Sequence, residues 1–285
     1  MTTKINFNGN ILDEASISVL DHGFLFGDSV YEVINTRKNI PCFVDKHLKR
    51  LRQSAEGISL KLPYDDEQFQ KEIYRTLEAA DNEESYIRVI VTRGVGEISI
   101  DPSSCKNPNM LILVTSRMEI PNEYYSNGIN VALVSIKRNP KDALNPKIKT
   151  GNYLNNVLAK VEANKVGAQD ALMLNTEGFL TECTTSNFFL VRDGRIMTPS
   201  LDCGILSGIT RELAIQLARE QGMIVEEGRW LADELEHADE AFLTGTLKEV
   251  LPVTRLNGKP IGEGKPGPVT QKIMRLYADL LDSLG

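Results

Sequence analysis

The chain has 285 residues, of which 41% are hydrophobic and 25% charged, with a formal net charge of -7. That is an ordinary globular balance, long enough for one large domain or two modest ones around a real core. It argues against a nucleic-acid binder, since no Lys/Arg-rich block occurs, and against a helical membrane protein, since no apolar run approaches roughly 18 residues.

In chain order, Ile5 and Phe7, a turn at Asn8-Gly9 and then Ile11-Leu12 predict a hairpin. Val30 to Thr36 reads as a strand. Asp45 is expected to cap a helix through about Ile58, with Leu48, Leu51 and Ala55 on one face, and Asp65 to open another with Phe69, Ile73 and Leu77 as its stripe. Tyr86 to Thr92 and Met110 to Thr115 read as buried strands. The polar, Pro- and Gly-bearing stretch Glu119 to Gly128 is the expected connector between domains. This gives a small α/β domain over 1-118, a connector over 119-128 and a larger domain over 129-285. In the latter, Ile129 to Ile136 is expected as a strand and Tyr153 to about Val166 as a helix. Short strands follow at Ala171–Leu174, Phe179-Leu180 and Phe188–Val191. Then come a helix from Ile209 to Gln221 stopped by Gly222, strands at Asp239–Thr244 and Val250–Leu256, and a C-terminal helix from about Pro268.

Several chemistries lack their signatures. There is no G-x-x-x-x-G-K-[ST] and no G-x-S-x-G, and Gly94-Val95-Gly96 lacks the third glycine of a dinucleotide fingerprint. Three histidines without H-E-x-x-H argue against a catalytic metal. Cys42, Cys105, Cys183 and Cys203 are scattered, which suits free thiols in a reducing compartment. With no apolar signal stretch in Met1 to Asn6, the expected location is cytoplasmic.

Four segments resemble the class IV (fold type IV) aminotransferases, in the family's order and across nearly the whole chain. They are Asp21-His22-Gly23-Phe24-Leu25-Phe26-Gly27-Asp28-Ser29-Val30-Tyr31-Glu32-Val33 with His47 to Leu51, Asn145 to Leu154, Leu180 to Asn187, and Gly204 to Arg211, the last echoed by Thr244-Gly245-Thr246. The resemblance implies an α/β (α+β) fold, with a small N-terminal domain and a larger C-terminal pseudo-barrel domain. It also implies pyridoxal 5'-phosphate (PLP) as cofactor and a homodimer or higher homo-oligomer.

Each implied role has a physical reason. PLP transamination needs a lysine amine to hold the cofactor and move a proton. Lys147 and Lys149 would share a face in extended chain, and the resemblance selects Lys149. A carboxylate must keep the pyridine nitrogen protonated, which the resemblance gives to Glu182. A phosphate suits the helix N-terminus at Gly208-Ile209-Thr210, with Gly245, Thr246 and a bidentate Arg50. Leu206 matches the residue packed on the ring and Tyr153 the one bonded to the phenolic oxygen. His22 is expected to be structural.

For the substrate, Tyr86-Ile87-Arg88 and Gly94-Val95-Gly96-Glu97 to Asp101-Pro102 resemble branched-chain aminotransferases. Phe26, Tyr31 and Val33 would form an apolar wall, and Tyr86, Arg88 and the amides after Thr246, at Leu247, would take the carboxylate. Val33 and Asn35 stand where that family usually has glycine and arginine. Tyr31-Glu32-Val33 looks more like D-amino-acid or (R)-amine transaminases, yet Ile98 and Ile100 occupy the loop where D-selective enzymes carry Arg and His. The expected reaction is transfer from a branched-chain L-amino acid to 2-oxoglutarate. The alternatives are D-amino acid or (R)-amine transamination, and a 4-amino-4-deoxychorismate lyase.

Overall fold

The computed structural model describes residues 2–284, which group into two compact units: 2–118 with 148–152 and 284, and 119–147 with 153–283.

In the first unit, β1 (Lys4–Phe7) and β2 (Asn10–Leu12) form the hairpin expected at Asn8-Gly9, where both turn residues take positive φ. After the short helix α1 (His22–Phe26) come β3 (Ser29–Arg37), the two-residue β4 (Ile40–Pro41), α2 (Val44–Gly57), α3 (Asp66–Ala80), β5 (Ser85–Thr92) and β6 (Asn109–Ser116). The strands build one antiparallel sheet in the order β2-β1-β6-β5-β3-β4. Period-2 alternation decides its faces. Val30, Ile34, Ile87, Val89, Val91, Met110, Ile112 and Val114 point to one side. They pack there against Leu48, Leu51 and Ala55 of α2 and Phe69, Ile73 and Leu77 of α3.

The helix starts differ in mechanism. Asp65 caps α3 in a complete capping box with Gln68. Asp45 does not cap α2. The cap position is Phe43, held at φ 54 and making no side-chain cap bond, while Asp45 sits in the first turn and takes a hydrogen bond from Gln70. There it complements the helix dipole instead.

One polar group penetrates this apolar layer. Glu32 points to the helix side of β3 and is fully buried. Arg50 of α2 donates to both of its oxygens, Nε to Oε1 and Nη2 to Oε2, each at 2.7 Å, and His47 Nδ1 lies 2.8 Å from Oε2. Burial pushes the Glu32 carboxyl upward, but the Arg50 guanidinium and then His47 more than reverse this and hold it at about 2. Burial pushes His47 below its ordinary value against the opposing pull of Glu32.

The second unit holds α4 (Asn122–Asn127), β7 (Ile129–Leu133), α5 (Leu154–Lys165), β8 (Asp170–Leu174), β9 (Leu180–Cys183), β10 (Asn187–Arg192), β11 (Arg195–Pro199), α6 (Ile209–Glu220), β12 (Val225–Gly228), β13 (Glu240–Gly245), β14 (Glu249–Leu256), β15 (Lys259–Pro260) and α7 (Pro268–Asp282). The strand expected through Ile136 stops at Leu133, and α4 lies within the stretch expected as connector. The sheet runs β12-β11-β10-β13-β14-β7-β8-β9, and the pairing of Asn187 with Glu182 joins β9 back to β10. That closes a barrel-like ring around Val131, Leu172, Leu180, Phe188, Leu243 and Leu251. Against its outer side α5 packs small residues, Ala159 and Ala163, onto Ala132 and Ala171.

The Glu32 pair predicts acid lability. Its pKa is lowered on folding, so its stabilisation is present above the ordinary carboxylate value of 4.5 and is lost as pH falls from there toward 2. Buried neutral His47 acts in the same sense as pH drops below its ordinary value. Glu32→Gln leaves Arg50 buried without its counter-charge and should cost roughly 3–5 kcal/mol. Thermal melts at pH 7 and pH 4 check this: a smaller acid-induced loss of stability in Glu32→Gln is expected, and identical pH dependence would show that Glu32 is not the titrating group.

Candidate active site

In the first unit, Lys149 lies on a short extended segment stitched to the N-terminal half of β3. Tyr31 N–H donates to the Lys149 carbonyl at 3.1 Å, Gly151 N–H to the Ser29 carbonyl at 2.9 Å, and Thr150 bridges Val30. The Lys149 N–H goes to Ser54 Oγ of α2 at 3.0 Å. Its amine reaches the Tyr31 hydroxyl at 3.4 Å and sits 4.4 Å from that ring's centroid. Lys147 is exposed.

Tyr31 is on the sheet face away from α2 and α3. Register places Val33 opposite Arg88 and Asn35 opposite Tyr86 on the same face. The Arg88 guanidinium carbon lies 4.1 Å from the Tyr31 ring centroid, a cation–π contact, and Arg88 Nη1 reaches the Tyr86 hydroxyl at 3.4 Å. Tyr31, Val33, Tyr86, Arg88 and Lys149, all expected from sequence, are therefore gathered on one face. Arg50 is on the opposite, helix side, where at least two of its five N–H donors are committed to Glu32. Phe26, in α1, sets its ring edge-on to His22 at 5.0 Å, and buried His22 directs Nε2 to the Glu97 carbonyl at 2.9 Å.

In the second unit, Glu182 lies near the end of β9, buried, with three donors on its carboxylate: Arg138 Nε at 2.9 Å, the Leu206 N–H at 2.9 Å and Asn187 Nδ2 at 3.2 Å. Asn187 also donates to the Leu206 carbonyl, so Leu206 is fixed at both backbone groups. Arg138 is fastened in turn by Asn155 Oδ1 at 3.1 Å. These contacts set the direction of the Glu182 carboxyl group. Sequence reading missed Arg138: it is a single arginine after a strand, 44 residues from its partner, with no local pattern around it.

The α6 N-terminus follows directly. Gly208 is its cap residue, with no side-chain cap bond. A Cβ there would lie 2.0 Å from Asn187 Oδ1, so only glycine lets β10 approach this helix start. Ile209 and Thr210 open the helix, where backbone N–H groups suit an anion, and the Thr210 hydroxyl pairs with Tyr277 at 3.3 Å. Gly245, Thr246 and Leu247 lie half-buried at the β13–β14 turn, and Tyr153 half-buried in the cap position of α5. The described residues offer no cluster of His, Cys, Asp and Glu that could hold a metal. What they do offer is a lysine amine, a fixed carboxylate and a helix N-terminus, the donor set that an aldehyde, a pyridine nitrogen and a phosphate require. PLP fits that chemistry.

Residues 29–256 match the family model of amino-transferase class IV. The chain is 37% identical over 284 residues to a Methanocaldococcus jannaschii protein assigned provisionally as a branched-chain-amino-acid aminotransferase, covering 99% of this chain and 98% of that one. It is 32% identical to a D-alanine aminotransferase of Bacillus licheniformis over 95% of this chain and 94% of the other. Among solved structures, it is similar to the branched-chain amino acid aminotransferase of Escherichia coli, with a TM-score of 0.94 at 28% identity over 98% and 94% of the two chains. It is also similar to a T.th. branched-chain amino acid aminotransferase with pyridoxamine 5'-phosphate, at TM-score 0.92 and 32% identity over 98% and 93%. The chain belongs to the class IV aminotransferases, a PLP-dependent family of transaminases.

Proposed function

We propose that the protein transfers the amino group of a branched-chain L-amino acid to 2-oxoglutarate, with Lys149 carrying PLP. The observation that carries this reading is the cluster on the open face of the first unit's sheet. There the Lys149 amine and the Arg88 guanidinium both contact the Tyr31 ring, beside Tyr86 and Val33. That face offers a cation and two phenols for carboxylates and an apolar wall for an aliphatic side chain, whereas loop residues Ile98 and Ile100 are exposed aliphatics with no charge to anchor a D-substrate.

When bound, PLP withdraws electrons and makes the donor's Cα–H acidic. Lys149 Nζ takes that proton, and Tyr31, at 3.4 Å, holds the amine in place. Glu182, oriented by Arg138, would pair with the pyridine nitrogen. The α6 amides at Gly208, Ile209 and Thr210, with Gly245 and Thr246, would receive the phosphate, and Arg50 would contribute through N–H groups beyond the two given to Glu32. Leu206 would pack on the ring, Tyr153 would bond its phenolic oxygen, and Phe26 would extend the apolar wall. Arg88, Tyr86 and the Leu247 N–H receive carboxylates. The partners are small molecules and a second copy of the chain. An exposed apolar stripe on α5, Leu154, Val157, Leu158 and Val161 at helical spacing, is the face such a copy would cover.

A second reading, transamination of D-amino acids, is favoured by the similarity to D-alanine aminotransferase and by Val33 and Asn35 in place of glycine and arginine.

Borohydride reduction followed by peptide mapping should place the pyridoxyl adduct on Lys149, and an adduct on Lys147 would overturn the assignment. Glu182→Gln should still bind PLP while losing about 1.5–3 kcal/mol of transition-state stabilisation, the worth of one charge-assisted bond; unchanged turnover refutes the role. Sedimentation velocity should find a dimer or higher form, and a monomer at micromolar concentration removes the α5 reading. The substrate is decided by a half-reaction screen that follows bleaching of the cofactor's visible absorbance. L-leucine, L-isoleucine or L-valine should react fastest, with broad aliphatic tolerance because one methylene is worth only about 1–3 kcal/mol. A faster reaction with D-alanine or (R)-1-phenylethylamine would replace this reading with the second. Release of pyruvate from aminodeoxychorismate without transamination would make the protein a lyase.

A further inference from the structure

Gly245 and Glu249 face each other across the β13–β14 hairpin, so Thr246, Leu247 and Lys248 form a three-residue loop. Such loops call for a residue in the left-handed region, usually glycine. Here that residue is Glu249, at φ 54. A strained turn persists only where its surroundings over-determine it, and Lys248 supplies the surroundings.

The Lys248 ammonium has three donors, and all three are used: Asp170 Oδ2 at 2.6 Å, Ser186 Oγ at 2.9 Å and Thr185 Oγ1 at 3.1 Å. Asp170 is buried, and its other oxygen accepts from the Ala171 N–H at 2.8 Å, the Thr184 hydroxyl at 2.5 Å and the Thr184 N–H at 3.2 Å. Burial pushes the Asp170 carboxyl up, but Lys248 and then Thr184 outweigh it and hold it below its ordinary value. On the other side of the loop the Lys248 carbonyl accepts from Tyr125 Oη at 3.3 Å. The loop is thus moored to β8 and to the segment after β9, the same segment that Asn156 grips at the Thr184 carbonyl.

We propose that Lys248 is a positioning residue that, by mooring this turn to buried Asp170, aims the Thr246–Leu247 amides at a substrate carboxylate. The inference rests on the reading of that turn as a carboxylate subsite. A surface lysine would swing freely and carry no such role; this one has every donor spent on one buried acid and two hydroxyls of a neighbouring loop. The charge is supplied from beneath the loop, so the loop's own N–H groups remain the substrate's contacts.

The test compares Lys248→Met and Lys248→Arg with the unaltered holoenzyme in two measurements. One is hydrogen exchange of the peptide spanning residues 245–249. The other is calorimetric binding of 4-methylvalerate, which carries the carboxylate and no amine. Lys248→Met should exchange about tenfold faster and bind 4-methylvalerate about tenfold more weakly, the size of one charge-assisted hydrogen bond. Its limiting half-reaction rate should stay within about twofold, since no interaction special to the transition state is removed. Lys248→Arg should restore most of both. Unchanged exchange in Lys248→Met overturns the mooring. Faster exchange with unchanged binding, or no binding to the unaltered enzyme, shows instead that the turn is not a carboxylate subsite, and the proposal falls with that reading. Because Lys248→Met strands a buried carboxylate and can impair folding, the neutral pair Asp170→Asn with Lys248→Met serves as the second variant and should show the same two changes.

Discussion

A carboxylate buried inside an apolar layer needs donors in place of water, and for Glu32 in the first unit those donors include a cation. Its partners Arg50 and His47 both come from α2, so the pair fastens α2 to β3 at a defined register. Ser54 lies one helical turn beyond Arg50, on the same face of α2, and it is Ser54 that accepts the Lys149 N–H. The Lys149 carbonyl is taken by Tyr31, the residue next to Glu32 on β3. The lysine is therefore held by the two elements that the buried ion pair locks together. Lys149 depends on Glu32 without touching it.

The second unit repeats the logic with different parts. Glu182 is buried, and Arg138 donates to one of its oxygens. Two further donors, Asn187 and the Leu206 N–H, occupy its other oxygen in fixed directions. Asn187 is also the residue that closes the ring of strands against Glu182 and the one that crowds Gly208 at the start of α6. Sheet closure, carboxylate direction and helix placement thus share one side chain. In this unit, too, Asp170 and Lys248 form a buried pair whose cation arrives from a loop. These three buried, cation-paired acids differ in which element supplies the cation: a helix for Glu32, the segment after a strand for Glu182, a hairpin loop for Asp170.

What the sequence made legible follows from range. The stripes of α2 and α3 and the alternation of β3, β5 and β6 are local periodicities, and the core assembles from those positions. The positions of Lys149, Glu182 and Gly208 in the fold could be anticipated because each lies in a local motif. Helix starts were harder to anticipate: Asp45 has the right side chain for a cap, but Phe43 adopts the left-handed backbone that begins α2, a choice no single residue advertises. Arg138, Lys248 and the Glu32 set were illegible because each is defined by a partner 15 to 78 residues away. Charge pairing at that separation leaves no periodicity to read.

The departures from the branched-chain pattern acquire meaning from register. Val33 lies directly across the sheet from Arg88, and Asn35 from Tyr86. A glycine at 33 would present no side chain opposite the arginine; valine places two methyl groups at that register position, next to the Tyr31 ring that Arg88 covers. An arginine at 35 would place a second cation beside Tyr86, two residues from Arg88; asparagine leaves Arg88 as the cation on that part of the face. Both substitutions therefore leave the face around Arg88 less charged and more apolar.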